Sequence, residues 1–186
     1  MTSAIDHLER LIGFDTVSRN SNLELIDYVR AELAGLGVES QLVASADGHK
    51  ANLFATIGPT DRPGVVLSGH TDVVPCEGQA WTSDPFAVRR DNGRLYGRGT
   101  ADMKGFIACC LAMAPEAVGR RLATPIHFAF SYDEEVGCIG VRRLLDEIAE
   151  APVKPRFCIV GEPTLMQVAT AHKGKAAWRV VAHGLE

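Results

Sequence analysis

Gly64-Val65-Val66-Leu67-Ser68-Gly69-His70-Thr71-Asp72-Val73-Val74-Pro75 joins a short apolar run to two residues suited to a metal. The run from Gly64 to Gly69 reads as a buried strand, set off upstream by the turn cluster Gly58-Pro59-Thr60-Asp61-Arg62-Pro63. It stops at His70 and Asp72. The same form recurs downstream. Ile126 to Tyr132 is a largely apolar strand that ends in Asp133-Glu134-Glu135, and Arg156 to Val160 is one that ends at Gly161-Glu162-Pro163.

Helical periodicity fills the intervals. Ile5, Leu8, Leu11 and Ile12 recur at helical spacing behind Ser3, a candidate N-cap. Leu23, Ile26, Tyr28, Val29, Leu33 and Leu36 mark a second helix closed by Gly37. A buried helix is predicted from Phe106 to about Ala114, and another over 141–148 with Val141, Leu144, Leu145 and Ile148 on one side. Val38 to Val43 and Asn52 to Ile57 read as strands, Asp91-Asn92-Gly93 as a hairpin turn, and 168–171 and 176–182 as two later strands. Strands alternating with helices give an α/β fold with a largely parallel sheet. In such sheets ligands gather outside the carboxyl ends of the strands, which is where His70, Asp133 to Glu135 and Glu162 fall.

Composition narrows the function classes. The 186 residues are enough for a real core, and a net charge of −4 gives no electrostatic reason to expect nucleic acid or an anionic membrane as partner. No apolar run is long enough to span a bilayer, and the first ten residues lack a basic segment followed by an apolar one. The cysteines at 76, 109, 110, 138 and 158 are odd in number and form no Cys-x-x-Cys pair, so a reducing, cytoplasmic setting is expected. Cys109 and Cys110 read as small apolar residues of a buried helix, and Lys104 and Arg98 as flanks of Asp102 that either tune its charge or are simply solvated.

Three adjacent carboxylates at 133–135 repel one another, and a helix cap needs only one or two. A cation would offset that repulsion. One histidine with several carboxylates and no clustered cysteine is a donor set for a hydrolytic divalent site. A pair of such ions bridged by one carboxylate, roughly 3.5–4 Å apart, activates water and polarises a carbonyl. An additional carboxylate is then needed to move protons.

The segments Ser68 to Pro75, Trp81-Thr-Ser-Asp-Pro-Phe86, Tyr96 to Gly105, Asp133-Glu-Glu-Val-Gly137 and Gly161-Glu-Pro-Thr164 occur in this order. They resemble the dinuclear zinc hydrolase family that includes acetylornithine deacetylase, succinyl-diaminopimelate desuccinylase, aminoacylases and glutamate carboxypeptidases. Within it, Asp102-Met-Lys-Gly-Phe106, Asp133 to Arg142 and Ala171-His-Lys-Gly174 are most similar to the acetylornithine deacetylase group. The resemblance implies a three-layer α/β/α fold with a mostly parallel mixed sheet, incomplete in this chain. It implies two divalent metals, Zn or Co, with His70, Asp102 and Glu162 on the first, and Asp102 bridging to a second that Glu135 binds. Glu134 resembles the general base, and Asp72 the acid that hydrogen-bonds the His70 imidazole and fixes its tautomer. For Glu134 and Glu135 to share one cavity, the backbone there has to be irregular, because neighbours on a regular strand point to opposite faces.

The implied activity is hydrolysis of N2-acetyl-L-ornithine to ornithine and acetate, a step of arginine biosynthesis. A desuccinylase or carboxypeptidase of the same family is the alternative. A non-catalytic metal-binding module is a third reading, against which the presence of Glu134 argues. Residues 1–175 correspond to the N-terminal part of a catalytic domain, and 176–186 to the start of a lid or dimerisation domain. The second metal's remaining ligand is a distal histidine that the family carries further on. His172 and His183 are the nearest local alternatives, His127 reads as structural, and His7 and His49 as surface residues. The 186-residue chain is therefore expected to be inactive or nearly so alone, and the longer protein to be a homodimer acting on a small N-acyl amino acid.

Overall fold

A computed structural model describes residues 2–171, 173–174 and 176–184. Its elements in chain order are α1 (Ala4–Ile12), α2 (Leu23–Gly35), β1 (Ser40–Ala44), β2 (Ala51–Ile57), β3 (Val65–His70), β4 (Arg89–Asp91), β5 (Arg94–Tyr96), α3 (Lys104–Gly119), β6 (Ile126–Ser131), α4 (Val141–Glu150) and β7 (Phe157–Val160). Five strands form one sheet in the order β1-β2-β6-β3-β7, while β4 and β5 form a separate hairpin. The β1–β2 and β2–β6 pairings are antiparallel, and β6–β3 and β3–β7 are parallel. The sheet is thus mixed, with the chemistry-bearing strands in its parallel half.

Alternation along the strands sorts side chains to two cores. Leu53, Ala55, Phe128, Phe130 and Leu67 face a large apolar cluster built with α1, α2 and α3. Phe54, Val66 and Ala129 face the opposite way, against Leu144 and Ile148 of α4. Helices on both faces give the three-layer architecture that the resemblance implied.

Register explains why the strand ends converge. His70 lies level with Ser131, and Ser68 level with Val160. Gly161 N–H still donates to the Ser68 carbonyl at 3.0 Å, so the pairing runs one residue past β7. Residues 133–135 and 162 therefore leave the sheet beside His70. The exit of β3 is itself clamped. Thr71 N–H donates to Ser131 O (2.8 Å), Val73 N–H to Thr16 O (3.0 Å), and Ser18 N–H to Val73 O (3.1 Å). The break between α1 and α2 is thus the brace of this strand end.

Several local expectations are refined. Ser3 caps α1 as predicted, in a reciprocal pair with Asp6. Asn92 and Gly93 take the positive φ angles of 48° and 72° that a tight β4–β5 hairpin requires. Helix α3 does not stop near Ala114: it continues through Pro115 to Gly119, because Ala114 and Ala117 keep its apolar face buried. In α4, Leu144 is buried but Leu145 is 54% exposed, so the packed face is narrower than predicted. Cys109 is exposed while its neighbour Cys110 is buried. The described residues of 168–171 and 176–182 form no strands. Both predicted strands there lack a paired neighbour to complete their backbone hydrogen bonds. No helix among the described residues is long and apolar enough to cross a membrane.

Candidate metal centre

His70 is the last residue of β3 and is only 2% exposed. Its Nδ1 lies 2.8 Å from the main-chain oxygen of Asp72. A carbonyl only accepts, so Nδ1 carries a proton and Nε2 is the ring nitrogen turned toward the acids. That nitrogen faces Asp102 Oδ1 at 3.0 Å, Glu162 Oε1 at 3.7 Å and Glu134 Oε2 at 3.9 Å.

The Asp72 carboxylate has a different task from the one expected. Its Oδ1 is 3.6 Å from His70 Nδ1, beyond a hydrogen bond. It accepts instead from Ser18 Oγ–H (2.8 Å), Glu134 N–H (3.1 Å) and Glu135 N–H (3.3 Å). The imidazole tautomer is fixed by the Asp72 carbonyl, and the side chain holds the 133–135 turn.

That turn resolves the problem of two neighbouring glutamates in one cavity. Asp133 has φ 56°, which breaks the strand's alternation as it enters the acidic run. Gly137 and Cys138 N–H groups both donate to the Glu134 carbonyl at 2.9 Å, closing the turn behind it. The Asp133 carboxylate leaves the cluster and pairs with Lys50 Nζ at 2.5 Å. Only Glu134 and Glu135 remain directed toward His70.

Two groups of donor atoms result. His70, Glu134 and Glu135 form one, and His70, Asp102 and Glu162 the other, the donor atoms in each lying within 4.8 Å of one another. The sequence-predicted ligands His70, Asp102 and Glu162 are thus together. Both groups use His70, yet only its Nε2 is available, so the imidazole can serve one ion. Among the described residues, His70 is the one imidazole in either group. His7 lies against Tyr28 and His127 against Thr56, and His172 lies outside the described residues.

Electrostatics fit a cation. Burial, then the Asp102 carboxylate, push Glu135 and Glu162 above the ordinary glutamate range, with His70 opposing. Burial works against a charged His70, but Asp72 and then Glu162 outweigh it and raise the imidazole to about 9. Burial also opposes a charged Asp72, and the His70 imidazole, the Ser18 hydroxyl and the Glu134 N–H together hold its carboxyl low. The centre is a crowd of acids around one imidazole, the environment that a divalent ion relieves. One nitrogen and several carboxylate oxygens without a thiolate suit Zn or Co at an open, hydrolytic site.

Three neighbours carry no signal in residue spacing. Ser18 and Lys50 brace the acidic turn from loops. Lys104 is fully buried and donates to the carbonyls of Leu11 (3.0 Å) and Phe14 (2.8 Å) at the end of α1. Burial lowers it to about 7 against the pull of Asp15 and Asp72, so it is a structural clasp and not a solvated flank. Trp81 and Asp84 pack their own loop: Trp81 Nε1–H donates to Gln79, and Asp84 accepts from Phe86 N–H.

Comparisons with known proteins bear on the family and the fold. The family model described as Peptidase family M20/M25/M40 matches residues 66–177. The chain is 38% identical over 165 residues to an acetylornithine deacetylase of Yersinia pseudotuberculosis, covering 86% of this chain and 42% of that protein. It is 40% identical over 185 residues to an acetylornithine deacetylase of Myxococcus xanthus, covering 96% and 47%. The chain therefore spans less than half the length of these curated relatives. Among solved structures, an M20 family metallo-carboxypeptidase of Sulfolobus solfataricus superposes with TM-score 0.74 at 21% identity, covering 87% of this chain and 37% of that one. Human carnosine dipeptidase 1 superposes with TM-score 0.71 at 23% identity, covering 84% and 37%. At these identities the structural likeness bears on the fold alone.

Proposed function

Because this chain belongs to peptidase family M20/M25/M40, we propose that its protein hydrolyses the amide bond of an N-acyl amino acid with the help of divalent metal. The observation that carries the reading is that Asp102, just before α3, meets His70, Glu134, Glu135 and Glu162 at the ends of three parallel strands. The acetylornithine deacetylases of Yersinia pseudotuberculosis and Myxococcus xanthus make N2-acetyl-L-ornithine the substrate of choice, with ornithine and acetate as products.

In this reading His70, Asp102 and Glu162 would hold one ion, and Asp102 with Glu135 would help to hold a second, Zn or Co in each. The ions supply a polarised carbonyl and an acidified water. Glu134 takes the proton of the attacking water and returns it to the leaving amine nitrogen. It is placed for this by its backbone, tied to Asp72 through its N–H and to Gly137 and Cys138 through its carbonyl. Asp72 is a positioning residue: its carbonyl orients His70 and its carboxylate orients the base.

Residues 1–175 then belong to the catalytic domain, 176–186 lead toward a lid, and the protein works as a cytoplasmic homodimer. A single imidazole among the described donor groups supports the further view that the 186-residue chain is inactive or nearly so by itself. Elemental analysis and hydrolysis measured on one sample test the function. Metal together with turnover of N-acetylornithine is expected from a chain extended to the length of its relatives. Preferred cleavage of succinyl-diaminopimelate would reassign the substrate, and metal without any amide hydrolysis would leave a binding module.

A further inference from the structure

Lys50 stands outside the metal-ligating set, yet it closes a ring of contacts around it. Its backbone is fixed on both sides by Ser45: Lys50 N–H donates to Ser45 Oγ at 3.0 Å, and Ser45 N–H donates to the Lys50 carbonyl at 2.8 Å. From this base Nζ donates to the Ser18 carbonyl and pairs with Asp133 Oδ1. The Ser18 hydroxyl donates to Asp72 Oδ2, and Asp72 Oδ1 receives the N–H of Glu134, the residue after Asp133. The contacts run Lys50–Asp133–Glu134–Asp72–Ser18 and back to Lys50. The ion pair is well shielded, with side chains 16% and 17% exposed.

Two consequences follow for the acidic run. Asp133 is the residue whose positive φ breaks the strand, and its carboxylate is drawn away from the cluster by the ammonium. Without that pull, three adjacent carboxylates compete for the same space, and like charges at this distance repel. The Glu134 and Glu135 amides are meanwhile pinned to the one carboxylate that Ser18 holds in place.

We infer that Lys50, through Asp133 and Ser18, is a positioning residue that sets Glu134 and Glu135 for metal and proton transfer. The inference rests on the metal-centre reading for its chemistry, but its geometry exists without metal. Electrostatics and positioning predict opposite signs. Removing a nearby positive charge by itself favours a bound cation, whereas releasing the turn weakens its ligands. Outer partners of this kind are worth about 10–100-fold in metal affinity.

The test uses the 186-residue chain and its Lys50→Met, Lys50→Arg and Ser18→Ala variants, each titrated with Zn²⁺ and followed by amide exchange in metal-free buffer. Lys50→Met is expected to bind Zn²⁺ about 10–100-fold more weakly, with Lys50→Arg recovering most of the loss. Exchange at the Glu134 and Glu135 amides should rise several-fold while the β6 amides keep their protection. Ser18→Ala should move both readouts the same way by less, and it decides the matter if Lys50→Met does not fold. Equal or tighter Zn²⁺ binding in Lys50→Met, with unchanged exchange at 134 and 135, would overturn the inference. If the wild-type chain takes up no Zn²⁺, the metal-centre reading fails, and the exchange data alone decide the tether: faster exchange sustains it, unchanged exchange removes it.

Discussion

Glu134 N–H donates to the Asp72 carboxylate at 3.1 Å, so the acid that follows β3 holds the backbone that follows β6. These two strands are parallel neighbours in register. The bond links the segment carrying the imidazole to the segment carrying Glu134, and Glu135 N–H repeats it at 3.3 Å. The acidic turn is thereby held through main-chain donors, and this tether uses neither glutamate carboxylate.

Replacing Glu134 separates its two possible uses. Its carboxylate lies in range of a ligand position as well as of a base position. If proton transfer is its task, Glu134→Ala in a chain extended to the relatives' length keeps its metal content and loses about 10²–10⁴-fold in kcat. Metal content and turnover measured on the same preparation check this. Normal turnover at full metal content would remove Glu134 from the mechanism.

His70 and Glu162 should differ in how much metal they control. His70 supplies the one nitrogen donor among the described groups, whereas Glu162 is one of several carboxylates there. His70→Ala is therefore expected to lower metal affinity more than Glu162→Gln, and to disturb the Asp102 and Glu134 carboxylates that face its ring. Isothermal titration with Zn²⁺ measures the order. Equal losses would mean that the imidazole contributes no more to metal affinity than a single carboxylate does.

Most of the architecture was legible because strand and helix periods leave a direct trace in the apolar pattern. The three strand ends near His70, Ser131 and Val160, and the acids just beyond the last two, could be placed from sequence for that reason. Ser18, Lys50 and the role of the Asp72 side chain could not. Each acts through a contact with residues 54 to 83 positions away, which no local spacing encodes. Lys104 misled for a related cause: a lysine beside an acid reads as solvated, and only the folded chain shows two helix-end carbonyls waiting for a buried donor. Pro115 misled because a proline normally ends a helix, whereas here the burial of Ala114 and Ala117 carries α3 past it.

Gly161 sits against the face of Phe106, and a β-carbon there would collide with the ring. Glu162 follows directly, so the ring–glycine contact sets the height at which this ligand leaves β7. Gly161→Ala should cost about 1–3 kcal/mol through overpacking and weaken Zn²⁺ binding as Glu162 shifts. Adding Phe106→Ala removes the clash, and metal affinity should recover even where stability does not. Urea denaturation and Zn²⁺ titration on the two variants test the coupling. No recovery in the double variant would show that Gly161 matters for its backbone alone.

His7 tests the α1–α2 brace by pH. It was expected at the surface, but it is 3% exposed and its Nδ1 is 2.7 Å from the Tyr28 hydroxyl. Burial lowers its pKa below the ordinary 6.5, against the opposing pull of Glu32 and Asp6. Below pH 6.5 the unfolded chain therefore takes up a proton that the folded chain resists. Its contribution to stability is full above 6.5 and is lost as pH falls from there toward the lower folded value. Other groups titrate in the same range, so the informative quantity is a difference between chains. Urea midpoints of wild type and His7→Phe, compared from about pH 7.5 to about pH 5, should converge on acidification, because the variant has no proton to gain. A constant gap across that range would mean that the imidazole titrates in the folded chain as it does in water, and that α1 does not seal it from solvent.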